Sequence, residues 1–433
     1  MIDEPAGPGD RRSVSGSRIV PLACVAFIMG CAAVYRVAAI APAYTGTSYI
    51  ALHVLLSMAM IAAWRWGGVA QLQLILLTGI AARLILIAAP MLSSNDAERY
   101  LWDGAVALAG FDPYSVPPAD PLVATLRAIW ATPPEHAAYA TLYPPAALGL
   151  FALSALAGPV WGIWLWKLIA SLAGIALVLV AQRLLRRYGM ERHLALVALS
   201  PLLVLETGVG AHIDVMVALL ITAALLAVVT RRWGMAGVLL GLGICVKLLP
   251  GAALVALAVA AGRRRGAWMT VAAMGTVVVV YGAALTIGWR PIGSLPVFFE
   301  KWRNGSPLFT LLEWLLPNPV LLAVIAVLAI GAGVTVLVLA RARPVIAIQL
   351  ALAIPLVLSP VAFPWYLCAL VPVVAVAPSA TLLIWLTTSP LIYEVRDRFV
   401  SAGIWMPAIW PLIVIGAGWA VGLTIDAVRA RSR

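Results

Sequence analysis

Residues 318–340 read NPVLLAVIAVLAIGAGVTVLVLA, an apolar run without a charged side chain that stops at Arg341. This run is long enough to cross a membrane as a helix, since a span needs about 20 apolar residues. The whole chain shares this character, because 64% of its residues are hydrophobic and only 11% are charged. A soluble domain has about 45–50% apolar and about 25% charged residues. The solvent of this chain is therefore a lipid bilayer.

Apolar segments recur along the chain and predict an all-α fold, because a helix satisfies its own backbone hydrogen bonds in lipid. The first segment follows a polar start and has no small-residue cleavage site, so we interpret it as a retained helix. We expect a polytopic transmembrane helical bundle of about 12–14 spans. The apolar segments are 19–41, 48–65, 70–91, 144–157, 161–183, 193–209, 213–230, 234–247, 250–262, 267–288, 318–340, 344–359, 363–377, 379–392 and 405–425.

The net charge of +12 would suggest a nucleic-acid partner for a soluble protein, but here the arginines cluster on the tethers between apolar segments. The positive-inside rule places these tethers and the N-terminus in the cytoplasm. We therefore expect the bilayer as a partner and no nucleic acid, and loop 92–143 lies outside. The clusters are Arg183, Arg186, Arg187 and Arg192; Arg231 and Arg232; Arg263, Arg264 and Arg265; Arg341 and Arg343; and Arg429, Arg431 and Arg433.

Segment 144–157 is an exception among these segments. Only one crossing can join the outer loop 92–143 to the cytoplasmic Arg183, yet two apolar segments lie between them. Pro144 and Pro145 open segment 144–157, which falls short of the about 20 residues of a span. We interpret it as a re-entrant or surface-lying helix, which is tolerated where protein or a water-filled cavity satisfies its backbone.

The outer loop opens with the stretch 94–104, SNDAERYLWDG, directly after a spanning segment. Apolar positions over 96–109 predict a helix that lies at the membrane interface. Asp96 and Asn95 stand at its N-terminus, where capping alone would explain them. The alternative is that Asp96 carries chemistry at the membrane surface.

Further polar clusters map to the same outer side. They are the stretches 206–214 (ETGVGAHID), 246–250 (VKLLP), 289–317 and 359–366 (SPVAFPWY). Lys247 interrupts an apolar stretch, and an ionisable residue at membrane depth is a functional candidate by default, although a snorkelling lysine is an open alternative. His212 and Asp214 lack a third neighbouring ligand, so we expect no metal site there. We expect Glu206, His212 and Asp214 to line a polar cavity.

Several short motifs follow one another in a fixed order. They are Tyr100-Leu101-Trp102-Asp103-Gly104, Gly110-Phe111-Asp112-Pro113-Tyr114, Leu142-Tyr143-Pro144-Pro145, Leu199-Ser200-Pro201-Leu202 with Glu206 and His212-Ile213-Asp214, then 246–250 and 359–366. This order resembles GT-C glycosyltransferases, and more closely bacterial mannosyltransferases that use polyprenyl-phosphate-mannose. It is also similar, more distantly, to the first mannosyltransferase of GPI-anchor assembly. The resemblance covers roughly residues 70–370.

The resemblance implies a division of the chain and a location. Residues 1–18 would be a cytoplasmic tail, 19–68 an additional transmembrane hairpin, 69–370 a GT-C-like catalytic module, and 371–433 C-terminal helices with a basic tail. The Ala-, Val-, Gly- and Arg-rich composition favours a high-GC bacterium. We therefore expect a multi-pass protein of the bacterial inner membrane with its active site on the extracytoplasmic face.

The resemblance also implies a reaction. The enzyme would move a sugar, most readily mannose, from a polyprenyl-phosphate-sugar donor to a lipid or glycan acceptor with inversion. Asp96 would be the general base, and Glu98 completes the acidic motif. The leaving donor phosphate would be bound by Lys247, Arg303, Lys301 and His212. The substrate pocket would be formed by Asp103, Tyr114, Tyr143, Glu206, Asp214, Trp365 and Tyr366.

Two departures from the family pattern bear on this interpretation. Asn95-Asp96 stands where the family often has two adjacent acidic residues, so a metal-bridging pair lacks support. The resemblance requires no cofactor, and a divalent metal is an alternative that the residues do not support. Phe363 stands where the family often has a histidine before Pro-Trp-Tyr. If that histidine binds phosphate, this chain uses another group, has a different donor or has reduced activity.

Two other classes of protein compete with the glycosyltransferase. A transporter or flippase predicts inverted repeats and charges near the middle of helices, whereas no internal repeat is evident and these charges lie at helix ends. A non-catalytic membrane scaffold predicts that the loss of Asp96 is tolerated.

Overall fold

A computed structural model describes residues 10–40, 46–403 and 406–432. Within these ranges the chain is helical, and the only extended pairing is a bridge between Asn304 and Val361. Part of the predicted tail 1–18 lies outside the described residues, and Arg433 also lies outside them. The first helix begins at Asp10, inside that predicted tail. The predicted all-α class is confirmed.

The first half of the chain contains the helices that precede Arg231. They are α1 (Asp10–Ile40), α2 (Gly46–Trp66), α3 (Leu72–Ile87), α4 (Asp96–Leu108), α5 (Ala124–Arg127), α6 (Pro145–Ala155), α7 (Gly158–Tyr188), α8 (Ala195–Ala198), α9 (Pro201–Gly208) and α10 (Asp214–Val229). Short 3-10 turns occupy Val69–Gln71, Pro121–Val123, Pro134–His136 and Glu191–Leu194.

The second half continues in the same way. Its helices are α11 (Trp233–Val246), α12 (Pro250–Ala261), α13 (Arg263–Thr286), α14 (Leu295–Lys301), α15 (Pro307–Leu315), α16 (Asn318–Ala342), α17 (Pro344–Leu358), α18 (Val371–Val376), α19 (Ala380–Thr388), α20 (Val395–Ala402) and α21 (Ile409–Arg431). Two 3-10 turns, Pro364–Ala369 and Ser389–Glu394, flank α18 and α19.

Seven helices of the described ranges are long and apolar enough to cross a bilayer, namely α1, α2, the Val69–Ile87 stretch that contains α3, α7, α13, α16 and α21. Five shorter apolar helices accompany them: α6, α10, α11, α12 and α17. A polytopic helical membrane protein is therefore confirmed. The long helices α13, α16 and α21 bury the smallest share of their residues inside the protein, so they present the most apolar surface to lipid.

Three segments that we predicted as single helices are interrupted. Segment 193–209 is divided among a 3-10 turn, α8 and α9, segment 363–377 between a 3-10 turn and α18, and segment 379–392 between α19 and a 3-10 turn. Prolines cause these interruptions, because a proline lacks an N–H and clashes with the preceding helical turn. Pro201, Pro364, Pro372 and Pro390 each lie at or next to the start of a new element. Pieces of this kind are tolerated at membrane depth where protein covers them, and α9 is buried along its whole length.

The predicted helix over 96–109 is confirmed as α4, and segment 144–157 forms the short helix α6. However, α4 does not lie free at a membrane interface, because other helices of the protein cover it. Residues 97, 99–106 of α4 are buried, because α6 and α7 pack against it. Gly104 allows the close approach, since a Cβ there would lie 2.4 Å from the carbonyl oxygen of Phe151 in α6. Tyr100 also stacks on Phe151, with ring centroids 4.4 Å apart. The first residue of α4, Asp96, is thereby fixed relative to the bundle.

Candidate active site

Asp96 begins α4 with its side chain about 20% exposed. Asn95 precedes it but makes no capping hydrogen bond with its side chain, which instead donates from Nδ2 to Glu135 Oε1 at 2.5 Å. The backbone N–H of Asp96 donates to Ser94 Oγ at 3.2 Å. The Asp96 Oδ2 atom lies 3.5 Å from the hydroxyl of Tyr100 and 3.6 Å from His212 Nε2. Asp96 is therefore embedded in a polar cluster, which capping alone does not explain.

His212 connects Asp96 to a carboxylate deeper in the protein. Its Nδ1 atom lies 2.8 Å from Glu206 Oε2, and the hydroxyl of Tyr393 donates to Glu206 Oε1 at 2.5 Å. Its Nε2 atom lies 2.8 Å from Ser94 Oγ. His212 is fully buried, and the side chain of Glu206 is 2% exposed. A continuous chain of hydrogen bonds behind Asp96 therefore joins Ser94, His212, Glu206 and Tyr393.

The loop that carries His212 is held in an unusual conformation. Ala211 has a positive φ of 50°, which is uncommon for a residue with a side chain. The indole N–H of Trp166 in α7 donates to the Ala211 carbonyl at 2.7 Å, and the His212 N–H donates to the Glu206 carbonyl at 2.9 Å. Trp365 lies flat on the imidazole of His212, with ring centroids 3.9 Å apart. The backbone of this loop is thus held by two hydrogen bonds, and the histidine ring is covered by Trp365.

Lys247 lies at the break between α11 and α12, where its extended backbone ends the first of these helices. Its Nζ atom donates to Asp214 Oδ1 at 2.7 Å and lies 3.8 Å from the centre of the Tyr366 ring. The ring face adds a cation–π attraction to the ion pair. The Lys247 side chain keeps 22% of its surface exposed, whereas that of Asp214 is 5% exposed. The lysine can therefore still contact a ligand.

Two adjoining cavities meet at these groups. The larger has a volume of about 730 Å³ and lies among α12, α14, α16 and α17, with walls that are mainly aliphatic. Among the described residues, Asp214 and Lys247 are the charged groups of its wall. The smaller cavity, of about 160 Å³, is lined by Asp96, Arg99, Glu135 and His136 and by aromatic residues such as Trp302 and Trp365. An apolar chamber and a polar chamber thus lie side by side.

The boundary between the two cavities is formed by residues that line both. Tyr143, Tyr366, Leu142 and Phe298 belong to each wall. Asp96 faces the small cavity, whereas Lys247 faces the large one. The structure therefore brings together the sequence clusters around residues 96, 143, 206–214, 247 and 359–366.

The stretch 134–143 forms one wall of the small cavity and is anchored by α4. Arg99 donates to Asp103 Oδ1 at 2.8 Å and to the carbonyls of Tyr139 and His136 at 2.8 and 3.3 Å. Tyr114 donates to the carbonyl of Tyr143 at 2.8 Å. Asp103 and Tyr114 line neither cavity. They support the walls of the pocket rather than contacting its interior.

Burial shifts the acid–base properties of this region. It raises the pKa of the Asp103 carboxyl above its ordinary value, and the Arg99 guanidinium opposes that shift. Burial lowers the pKa of the His136 imidazole, and the positive charge of Arg99 lowers it further. His136 therefore faces the small cavity as a neutral ring near neutral pH.

Some residues that the sequence pointed to lie away from both cavities. Arg303 donates to Glu313 Oε1 at 2.7 Å, and its Nη1 contacts backbone carbonyls, including that of Glu300 at 2.9 Å. Lys301 lies 5.9 Å from the Tyr139 ring centre, and Glu98 is exposed. None of Arg303, Lys301 and Glu98 lines either of these two cavities, and His212 lies behind Asp96 and also lines neither of them. Lys247 is the predicted phosphate ligand that faces a cavity.

The sequence did not point to three residues of the polar cluster. Tyr100 contacts both Asp96 and the hydroxyl of Tyr143, each at 3.5 Å. Ser94 links the Asp96 backbone to His212, and Tyr393 donates to Glu206. Tyr100 falls one turn after Asp96 on the same helix face, a spacing that could have identified it. Nothing in the sequence around Tyr393 indicates its partner, 187 residues away.

Phe363 forms an aromatic stack in the wall of the small cavity. Its ring lies on Trp365 at 4.4 Å between centroids, and Trp365 lies in turn on His212. Both Phe363 and Trp365 line the cavity. Within the described ranges, no three His, Cys, Asp or Glu side chains form a group that could hold a metal ion.

The helical membrane bundle is consistent with the GT-C type of glycosyltransferase. A family model described as alpha-(1->6)-mannopyranosyltransferase, N-terminal domain, matches residues 18–263, and the model of glycosyltransferase family 87 matches residues 141–390. Because each match spans more than half of the sequence, the chain belongs to these mannosyltransferase-like GT-C glycosyltransferases. No curated protein and no solved structure matches it significantly. The resemblance noted in the sequence is confirmed.

Proposed function

We propose that this glycosyltransferase moves a sugar, most readily mannose, from a polyprenyl-phosphate sugar to a lipid or glycan acceptor. The observation that carries the proposal is the pair of cavities, one apolar and ending at Lys247, the other polar and containing Asp96. We place the reaction on the extracytoplasmic face of the bacterial inner membrane. The arginine clusters on the tethers support that orientation.

The large cavity suits the lipid part of the donor. Its walls come from helices that include the lipid-facing α16, and they carry residues such as Ala329, Val336 and Leu337. Apolar walls with a few polar groups at one end are typical of sites that bind a lipid with a charged head. The ammonium group of Lys247 would bind the phosphate and stabilise the charge that grows on it as it leaves.

Asp96 is the general base in this proposal. The acceptor enters the small cavity, and Asp96 removes the proton of its hydroxyl while that oxygen attacks the anomeric carbon. The bond from the anomeric carbon to the phosphate oxygen breaks, and the electron pair stays with the phosphate. A single displacement inverts the configuration, so a β-linked donor gives an α-linked product. Tyr143 and Tyr366, which line both cavities, suit contacts with the sugar between them.

Radiolabelled transfer tests this proposal. Membranes containing the wild type or Asp96→Asn receive polyprenyl-phosphate mannose, and labelled product is measured. We expect Asp96→Asn to lower transfer by about 100-fold or more, the usual effect of losing a general base. Glu300→Gln is the matched control, because Glu300 is an exposed carboxylate in α14 that lines neither cavity.

Each outcome of this experiment has a defined meaning. Transfer by Asp96→Asn at the wild-type rate would remove Asp96 from the mechanism. Failure of the wild type to use any polyprenyl-phosphate sugar would contradict the proposed donor. Equal losses in Asp96→Asn and Glu300→Gln would attribute the effect to the removal of surface charge.

A further inference from the structure

The hydrogen-bonded chain behind Asp96 has a direction that follows from its partners. A carboxylate accepts hydrogen bonds, so the Nδ1 atom of His212, 2.8 Å from Glu206 Oε2, carries a hydrogen. A neutral imidazole then has its lone pair on Nε2, which accepts a hydrogen bond from Ser94 Oγ at 2.8 Å. The Asp96 Oδ2 atom lies 3.6 Å from the same nitrogen, so the basic nitrogen of His212 is next to the Asp96 carboxylate.

Burial restricts what His212 can contact. Its side chain is 0% exposed and lines neither cavity, and Trp365 covers one face of the ring. It cannot reach the donor phosphate from this position. Its polar neighbours are Ser94, Asp96 and Glu206, so any role in the reaction passes through Asp96.

We infer that His212 takes over the proton that Asp96 removes from the acceptor, and that Glu206 stabilises the imidazolium that results. This inference rests on the proposed function. The acceptor O–H bond breaks as the Asp96 O–H bond forms. The Ser94 hydroxyl then turns its hydrogen away from His212 Nε2, and the proton moves from Asp96 Oδ2 to the freed lone pair of that nitrogen. Asp96 returns to its ionised form beside the leaving phosphate, and the proton later leaves through Asp96 to water in the small cavity.

The surroundings of Glu206 suit this role. An ionised carboxylate is costly to bury unless it is hydrogen-bonded. Glu206 accepts from the Tyr393 hydroxyl at 2.5 Å and from His212, so donors approach both of its oxygens. A carboxylate next to an imidazole fixes the tautomer and stabilises the protonated ring, as in catalytic triads. His212 and Glu206 are therefore positioning residues that act through Asp96.

Steady-state kinetics of the purified protein in detergent, with polyprenyl-phosphate mannose, tests the inference. We expect His212→Gln to lower kcat by about 100-fold with the donor KM within about twofold of the wild type, because the donor does not contact His212. Glu206→Gln keeps an oxygen acceptor for the Nδ1 hydrogen but removes the charge, and we expect a loss of about 10-fold in kcat. Thr222→Val is the matched control, since Thr222 is buried in α10 and bonds only to its own helix in the described structure, at Ala218.

The solvent isotope effect on kcat in heavy water separates proton transfer from a structural role. Transfer of the proton from Asp96 to His212 slows in heavy water, so we expect a larger isotope effect for the wild type than for His212→Gln, which lacks that transfer. A purely structural role of the chain predicts the same isotope effect in both, and near-wild-type kcat for Glu206→Gln. Either result would overturn the inference.

The outcomes also separate this inference from the proposed function. A wild type that transfers no sugar contradicts the donor assignment itself. An active wild type with an equally active His212→Gln contradicts only the proton pathway. The melting temperature of His212→Gln can fall below that of Thr222→Val, which would indicate that the variant is destabilised. In that case the kcat of Glu206→Gln, measured on protein with a normal melting temperature, decides whether the proton pathway is correct.

Discussion

Gly210 lies where the polar chain leaves no space for a side chain. A Cβ at this position would lie 2.5 Å from His212 Nδ1, 2.6 Å from Glu206 Oε2 and 2.7 Å from Ser93 Oγ. Those atoms are buried and hydrogen-bonded, so they cannot move aside without breaking the contact between His212 and Glu206. At the scale of single residues, the site therefore requires glycine at position 210 as well as its charged groups.

Gly210→Ala should separate His212 from Glu206. We expect transfer from polyprenyl-phosphate mannose to fall by at least about 10-fold, because the buried carboxylate loses a charge-assisted partner. Gly149→Ala is the control, since a Cβ at this exposed position in α6 meets nothing within 4 Å. The two variants carry the same type of substitution, so they differ only in its position. Sugar transfer and melting temperature are measured for both. Full activity of Gly210→Ala would show that the His212–Glu206 contact is dispensable.

At the scale of elements, the contact between α4 and α6 fixes the position of Asp96. The sequence indicated both helices, through the apolar positions of 96–109 and the prolines that open 144–157. Their packing was not indicated, because Gly104 and the Phe151 carbonyl meet only when the two helices cross at that point. For the same reason, the sequence could not indicate that Arg303 is paired with Glu313 and lines neither cavity.

Gly104→Ala tests this element contact. The added methyl group would lie 2.4 Å from the Phe151 carbonyl oxygen, which is part of the backbone and cannot rotate away. We expect a loss of about 1–3 kcal/mol in unfolding free energy, the usual cost of overpacking. Sugar transfer should also fall although Asp96 is intact. Thermal unfolding in detergent and transfer rates measure the two effects.

Gly275→Ala in α13 serves as the reference for that change, because a Cβ there meets nothing within 4 Å. It is expected to keep or slightly raise stability, since alanine favours a helix over glycine by about 1 kcal/mol. A Gly104→Ala protein as stable and active as Gly275→Ala would show that α4 and α6 can separate without consequence.

At the scale of the whole molecule, the proposed reaction requires the protein to have one orientation in the membrane. Glu135 is exposed and accepts from Asn95 beside Asp96, whereas Arg264 is exposed at the start of α13, in an arginine cluster. The positive-inside rule predicts that these two residues lie on opposite sides of the bilayer.

Labelling of engineered cysteines tests the orientation. A membrane-impermeant maleimide should label Glu135→Cys in intact cells and Arg264→Cys only after the membrane is permeabilised. The four native cysteines, Cys24, Cys31, Cys245 and Cys368, are buried and give little background. Labelling of both positions from the same side would contradict the predicted topology.

Hydropathy and arginine placement by themselves determined that this chain is a helical membrane protein, and motif order determined its resemblance to GT-C enzymes. These are local properties, which a run such as residues 318–340 carries without its neighbours. Tertiary structure alone decided that His212 lies behind Asp96, that Tyr393 bonds Glu206, and that an apolar cavity ends at Lys247. Such contacts join residues up to 187 positions apart, and they depend on which helix faces pack together rather than on the composition of any one segment.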